Sequence, residues 1–178
     1  MLPCWFLLIC ETINKGIVLP RVQDAVDDAR HVRLHCNDDL EWMVLDIADA
    51  FHNVPMRPSE RRFACGKVGD RFIVFEVLCM GGKSAPNIWD RFAALLGRML
   101  ASMFSPDVFR AEVYVDDPLM ATAGTQAQRD STFTIALLVL QASGFPLAWG
   151  RGVLGKSVTW IGAQLTSLPT GIMVSIPE

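Results

Sequence analysis

Apolar residues recur along this chain with two periods, and the switches between them predict its elements. Val22, Val26 and Ala29 share one helical face while Asp24, Asp27 and Asp28 take the other, which predicts a short amphipathic helix with Pro20 in its first turn. Trp42-Met-Val-Leu-Asp46 is a continuous apolar run ending in a carboxylate and predicts a buried strand; residues 47–51 continue it into a turn or a helical start. Residues 62–66 and 71–78 flank a turn at Val68-Gly-Asp-Arg71, predicting a hairpin. Next comes the glycine-containing stretch Cys79-Met-Gly-Gly-Lys-Ser-Ala-Pro86, which opens a long helix. Ser84 fits its N-cap, Pro86 its first turn, and Trp89, Phe92, Leu96, Met99 and Met103 recur at helical spacing as a core stripe. Ala111-Glu-Val-Tyr-Val-Asp-Asp-Pro-Leu-Met120 reads as two strands meeting at Asp116 and Asp117. A helix over residues 127–142, with Phe133, Leu137 and Leu140 on one side, ends at Gly144. Residues 158–165 read as a strand with Gly162 in its interior, and residues 172–176 as its partner.

Composition narrows the classes. At 178 residues the chain has the size of one domain. Hydrophobic residues make up 51%, and the mean hydropathy is positive, which predicts apolar surface of the kind a partner covers. A net charge of −3 argues against a nucleic-acid binder on the sum alone, but the basic residues cluster over 57–71 and the acids over 24–41. The five cysteines are odd in number and form no CxxC pair, so they support neither a zinc site nor a disulfide framework and read as intracellular core thiols. The apolar run over residues 2–10 is about half a bilayer span, and no membrane association is expected. His31 and His35 lie four apart, but no third ligand is evident in the sequence, and they read as surface residues.

Two places carry candidate chemistry. Asp116 and Asp117 sit at a hairpin tip; adjacent strand side chains point to opposite faces, so a metal site there needs a third acid from elsewhere. Taken alone, the pair fits an ordinary turn better than a site. Asp46 is the natural third acid, since a carboxylate where an apolar strand leaves the core is partly desolvated and requires a compensating cation or donor. The alternative is that Asp46 and Asp49 cap the turn that follows. The Gly81-Gly82 loop suits close approach of a phosphate, although its spacing matches no P-loop.

The order of these elements, with Leu45-Asp-Ile-Ala-Asp-Ala-Phe51, Gly81-Gly-Lys-Ser-Ala-Pro86, Tyr114-Val-Asp-Asp117 and Trp160-Ile-Gly162, resembles the palm of reverse transcriptases, most closely those of retroviruses and gypsy-like LTR retrotransposons. Leu19-Pro-Arg-Val22 looks like the chain leading from fingers into palm. The resemblance implies an α+β polymerase palm, an antiparallel sheet packed on helices, with a remnant of the fingers and no complete thumb. It implies an unplaced segment over 1–18, the palm with partial fingers over 19–166, and a tail over 167–178 that can form a short strand.

It further implies an RNA-directed DNA polymerase using two Mg2+ ions, or Mn2+, held by Asp46, Asp116, Asp117 and the Ile47 carbonyl. Asp49 and Ala50 would offer backbone donors to the triphosphate, Phe51 would exclude a ribose 2′-hydroxyl, and Met80 and Gly81 would border the nucleotide. Gly82, Lys83, Pro86 and Tyr114 would meet template or primer, and Trp160, Ile161 and Gly162 resemble the primer grip. The implied partners are an RNA or DNA template with its primer, deoxynucleoside triphosphates, and further polyprotein regions carrying fingers, thumb and ribonuclease H; the expected location is intracellular.

Three departures qualify this. Arg151 stands where relatives often place a lysine that protonates pyrophosphate, and an arginine, essentially never deprotonated, is a poor proton donor. Cys79 and Met80 replace a more usual proline followed by glutamine or phenylalanine, and no basic finger strand is recognisable over 1–18. A non-catalytic palm remnant acting as a binding module is therefore the alternative. A viral RNA-dependent RNA polymerase is a weaker third reading, opposed by Phe51.

Overall fold

The computed structural model describes residues 17–36 and 39–177; the apolar run over 2–10, Cys4 and Cys10 lie outside them. The elements run α1 (Val22–His35), β1 (Leu40–Val44), β2 (Cys65–Val68), β3 (Arg71–Val74), α2 (Ala85–Ser102), β4 (Phe109–Tyr114), β5 (Asp117–Ala123), α3 (Gln126–Ala142), β6 (Val153–Gly155), β7 (Ser157–Trp160), β8 (Ala163–Leu168) and β9 (Gly171–Ser175). The described residues divide into two compact units, one built on residues 49–92 and the other on residues 19–48 and 93–177.

The larger unit is an antiparallel sheet packed on helices. Its strand order is β4-β5-β1-β6, with Trp42 opposite Ala121 and Met43 opposite Met120. β1 and β5 are buried along nearly their whole length, which is why both read as continuous apolar runs rather than as alternating strands. Leu40, Trp42 and Val44 join Leu119 and Ala121 in a core cluster with Ala25, Val26, Ala29 and Val32 of α1. Met43 and Met120, one position out of phase, point to the opposite face.

α1 begins just after Pro20, not around it: Arg21 is the N-cap, and Asp24 accepts from its amide at 2.7 Å and its guanidinium at 2.9 Å. The acids of this helix therefore include a cap partner as well as an exposed face. α3 starts with a reciprocal cap between Thr125 and Gln128. Its Arg129, 5% exposed, pairs with Glu41 of β1 at 3.0 Å and pins the helix start to the sheet. Gly144 follows at φ +82°, as a helix-ending glycine does.

Residues 157–168 correct one expectation. They form two strands, β7 and β8, with Trp160 paired to Ala163 across a two-residue turn at Ile161 (φ +42°) and Gly162 (φ +80°). Gly162 is thus a turn residue, not an interior strand residue; two positive φ values in succession are what a type I′ hairpin requires. β9 adds to β8, supplying the predicted partner strand.

In the smaller unit β2 and β3 pair around Gly69 (φ +60°), giving the predicted hairpin, although residues 61–63 are a 3₁₀ turn and not strand. Both strands are exposed throughout, and Phe63 and Phe72 are more than 70% exposed. α2 starts in this unit at Ala85, with the Ser84 carbonyl accepting from Ile88, and its residues from 93 onward belong to the larger unit. Trp89 and Leu96 are buried as the stripe predicts, while Met103 lies beyond the helix end and is exposed. Among the described cysteines Cys65 is exposed and Cys36 and Cys79 are half-buried, so these thiols are free but not core. No helix among the described residues is long and apolar enough to cross a membrane.

Candidate active site at the Asp116-Asp117 hairpin

β4 and β5 are joined by two residues, since Tyr114 pairs with Asp117 and only Val115 and Asp116 lie between them. Val115 sits at φ +54°, whereas Asp116 is not in the positive-φ region. A positive φ at the first turn position alone is the signature of a type II′ turn. For a β-branched residue this conformation is strained, by on the order of 1–3 kcal/mol. The turn lifts Asp116 out of the strand, while Asp117 remains its first residue. This is how two adjacent carboxylates, which an extended strand would send to opposite faces, share one end of the sheet.

Backbone hydrogen bonds lace the strand leading to Asp46 against this hairpin. Leu45 N donates to Pro118 O at 3.0 Å and Ile47 N to Asp116 O at 2.8 Å. On the other side Ala48 N donates to Pro146 O at 2.9 Å, and Ala148 N to Asp46 O at 2.9 Å. Asp46 is thereby fixed between the hairpin and the segment after α3, with Ile47, 1% exposed, bridged to Leu147.

The acids feel one another. Asp116 is raised above the ordinary aspartate range, first by burial and then by the charge of Asp46. Asp117 is raised by burial, then by Asp116 and Asp46. The cation opposing these charges is Arg151, whose guanidinium lies 2.9 Å from Asp46 Oδ2. Asp46 is 12% exposed at its side chain and Arg151 77%, so the charge on the guanidinium reaches the acids from the solvent side. The described residues that bring three metal-ligand atoms within 4.8 Å of one another are His31, His35 and Asp107, not this trio of acids. The donors at the hairpin are carboxylate oxygens, a set suited to hard divalent cations.

The remaining predicted site residues fall into two groups. Tyr114, Trp160, Ile161, Gly162 and Arg151 belong to the same unit as the acids. Trp160 is 1% exposed; its indole Nε1 donates to Asp117 O at 3.0 Å and its ring meets Tyr114 edge-on at 6.3 Å. Its side chain supports the hairpin from beneath, while Gly162 is exposed, and a Cβ there would meet nothing within 4 Å. Asp49, Ala50, Phe51, Met80, Gly81, Gly82, Lys83 and Pro86 belong to the smaller unit. There Asp49 adopts φ +51°, Ala50 is buried, Phe51 is half-buried 6.2 Å from the Trp89 ring, and Met80, Gly81, Lys83 and Pro86 are exposed.

Sequence reasoning did not find the Arg151 pairing to Asp46, which joins positions 105 apart, nor the contact of His31 with Asp107 at a separation of 76. No local pattern carries either.

No protein-family model matches the chain, and no curated protein matches it. Solved structures do. A foamy viral protease-reverse transcriptase in complex with an RNA/DNA hybrid is 17% identical, with a TM-score of 0.61 over 74% of this chain. A foamy viral protease-reverse transcriptase in complex with double-stranded DNA gives 0.64 over 76% at 17% identity, and another such complex gives 0.58 over 76% at 19%. The chain covers 17%, 22% and 26% of those three chains, about a fifth of their length. The protein is an α+β chain with a reverse-transcriptase-like fold.

Proposed function

We propose that this chain is the palm-centred core of a retroelement reverse transcriptase, of the retroviral or gypsy-like LTR type, which performs template-directed DNA synthesis by nucleotidyl transfer. The observation that carries this reading is the hairpin. A strained turn and four backbone hydrogen bonds hold Asp116, Asp117 and Asp46 at one end of the sheet, although burial and the neighbouring acid charges raise Asp116 and Asp117. Holding acids together against their own repulsion costs stability and suits a cation-binding role. In this reading Asp46, Asp116, Asp117 and the Ile47 carbonyl hold two Mg2+ ions, with Mn2+ a substitute.

Such ions, when bound, lower the pKa of the attacking primer hydroxyl and neutralise the leaving pyrophosphate. The chain's own residues position the reactants. Asp49 and Ala50 offer amides to the triphosphate, beside Met80 and Gly81, and Phe51 selects deoxyribose. Gly82, Lys83, Pro86 and Tyr114 meet the template-primer, and the exposed turn at Gly162 leaves room for a primer phosphate. The partners are an RNA or DNA template with primer, deoxynucleoside triphosphates and further polyprotein regions, with 19–166 as the palm and partial fingers, in an intracellular setting.

One observation favours a second reading, a binding module without catalysis: Arg151 occupies Asp46 as a salt-bridge partner. A cation already seated on that carboxylate competes with a metal ion for it. Primer extension on an RNA template separates the two. The polymerase reading expects Mg2+-dependent extension by the native chain, loss of at least about 100-fold in Asp116→Asn, and no loss in Arg151→Ala. Template-primer binding that is unchanged by Mg2+, with no extension by native protein or Arg151→Ala, supports the binding module instead.

A further inference from the structure

We propose that His31, His35 and Asp107 form a binding site for a divalent late transition-metal ion, zinc foremost, distinct from the aspartates of the hairpin. His31 and His35 lie one turn apart at the C-terminal end of α1, and Asp107 comes from the loop that leads into β4. His31 Nε2 is 2.9 Å from Asp107 Oδ1, and His35 Nδ1 is 3.8 Å from the same oxygen. The imidazole centroids are 4.6 Å apart at an interplanar angle of 40°, and one ligand atom from each of the three residues lies within 4.8 Å of the others.

A hydrogen bond between one histidine and one carboxylate does not require the second ring. Two imidazoles turned to a single carboxylate oxygen supply three of the four donors of a tetrahedral coordination shell, leaving the fourth to water. Zinc bonds of about 2.0–2.1 Å hold neighbouring donors about 3.3–3.4 Å apart. The observed histidine–carboxylate separations of 2.9 and 3.8 Å fall on either side of that value and need shifts of about half an ångström, while the two histidine nitrogens, within 4.8 Å of each other, close the remaining gap by ring rotation. The side chains are 37%, 46% and 48% exposed, which lets them make those shifts and lets an ion enter.

The surroundings agree. His35 Nδ1 lies 2.9 Å from the His31 carbonyl, a bond that an ion at this nitrogen replaces. Arg110 is engaged elsewhere: its Nε donates to Pro106 O at 3.0 Å and lies 3.7 Å from Asp28, one turn before His31. On the other side of α1, Arg33 donates to the carbonyls of Leu168, Pro169 and Gly171, so the helix end is already anchored there. A metal ion would add a further tie between the helix end and the approach to β4, the strand that ends at Tyr114. Two imidazoles with one carboxylate prefer zinc, copper, nickel or cobalt over magnesium, whereas the hairpin's all-oxygen set has the reverse preference.

The test is titration of the purified chain with Co2+ and with Zn2+ in the presence of excess Mg2+. One Co2+ per chain is expected, with visible d–d bands but no thiolate charge-transfer band, displaced by Zn2+. Zn2+ should raise the unfolding temperature in a saturable way. His31→Ala, His35→Ala and Asp107→Asn should each weaken binding by more than about tenfold, while His52→Ala, which changes the remaining histidine, leaves it intact. Binding that survives in His31→Ala/His35→Ala, a thiolate band, or no Co2+ uptake by folded native protein would each overturn the assignment.

Discussion

The indole Nε1 of Trp160 donates to the main-chain carbonyl of Asp117 at 3.0 Å, from a side chain that is 1% exposed. This bond ties the turn of the β7-β8 hairpin to the first residue after the acid-bearing turn, and the Tyr114 ring closes against the same indole. A residue that resembles part of a primer grip is thereby also a support for the candidate site. Trp160→Phe keeps most of the buried volume but leaves the Asp117 carbonyl without this donor. It should cost about 1–3 kcal/mol, and Trp160→Ala about 3–5 kcal/mol, in urea denaturation. A Trp160→Phe variant as stable as the native chain would show that the bond contributes nothing net.

Val115 offers a test of opposite sign. Its φ of +54° is unfavourable for a β-branched side chain, and glycine removes the strain at the expense of a more flexible unfolded chain. Strain of about 1–3 kcal/mol against an entropy term of about 0.5–1 kcal/mol leaves a net gain of about 1 kcal/mol for Val115→Gly. The denaturation midpoint should rise accordingly. If the proposed polymerase activity is present, extension should fall, because the turn that aims Asp116 is no longer held to one conformation.

The parts of this architecture legible in the sequence are those with long periods or clustered chemistry. α2 and α3 announce themselves by their stripes, and β1 and β5 by apolar runs that reflect burial on both faces. Asp116 and Asp117 stand out because two adjacent acids interrupt an apolar hairpin. β6, by contrast, is three residues long, too short to show a period, and exists by pairing with β1. The turn at Ile161 was hidden because isoleucine in an apolar run reads as strand; only its pairing geometry reveals the positive φ. Arg151 on Asp46 and Asp107 on His31 depend on chain paths that no local pattern encodes.

The candidate site should make stability depend on pH in a defined direction. Asp116 and Asp117 are raised from the ordinary aspartate value of 3.8, both by burial first, then Asp116 by the charge of Asp46 and Asp117 by the charges of Asp116 and Asp46. A raised carboxyl holds its proton more tightly in the folded chain than in the unfolded one. Its contribution is therefore fully present below that ordinary value and is lost as pH rises through the folded value. Asp116→Asn should consequently be more stable than the native chain at pH 7.5, with the difference shrinking toward pH 3. Mg2+ should reduce the neutral-pH difference by stabilising the native chain alone. A difference between the two proteins that does not vary with pH would remove the electrostatic account.

A second acid pair, away from the hairpin tip, gives a window with both ends defined. Glu112 on β4 and Asp28 on α1 are both raised, Glu112 from 4.5 to about 7, by burial first and then by the charge of Asp28 and a hydrogen bond with it. Arg110 pulls in the other direction but lies 3.7 Å from Asp28 and does not cancel the repulsion. The same sign applies: the pair is most favourable when Glu112 is protonated and donates to Asp28, and this support is lost as pH rises from 4.5 through about 7. Glutamine reproduces the protonated form, since its amide can donate where the carboxylic acid did. Glu112→Gln should therefore match the native chain near pH 4.5 and exceed it in stability at pH 8, the two curves diverging between. The measurement is the urea midpoint of both proteins at intervals across that range.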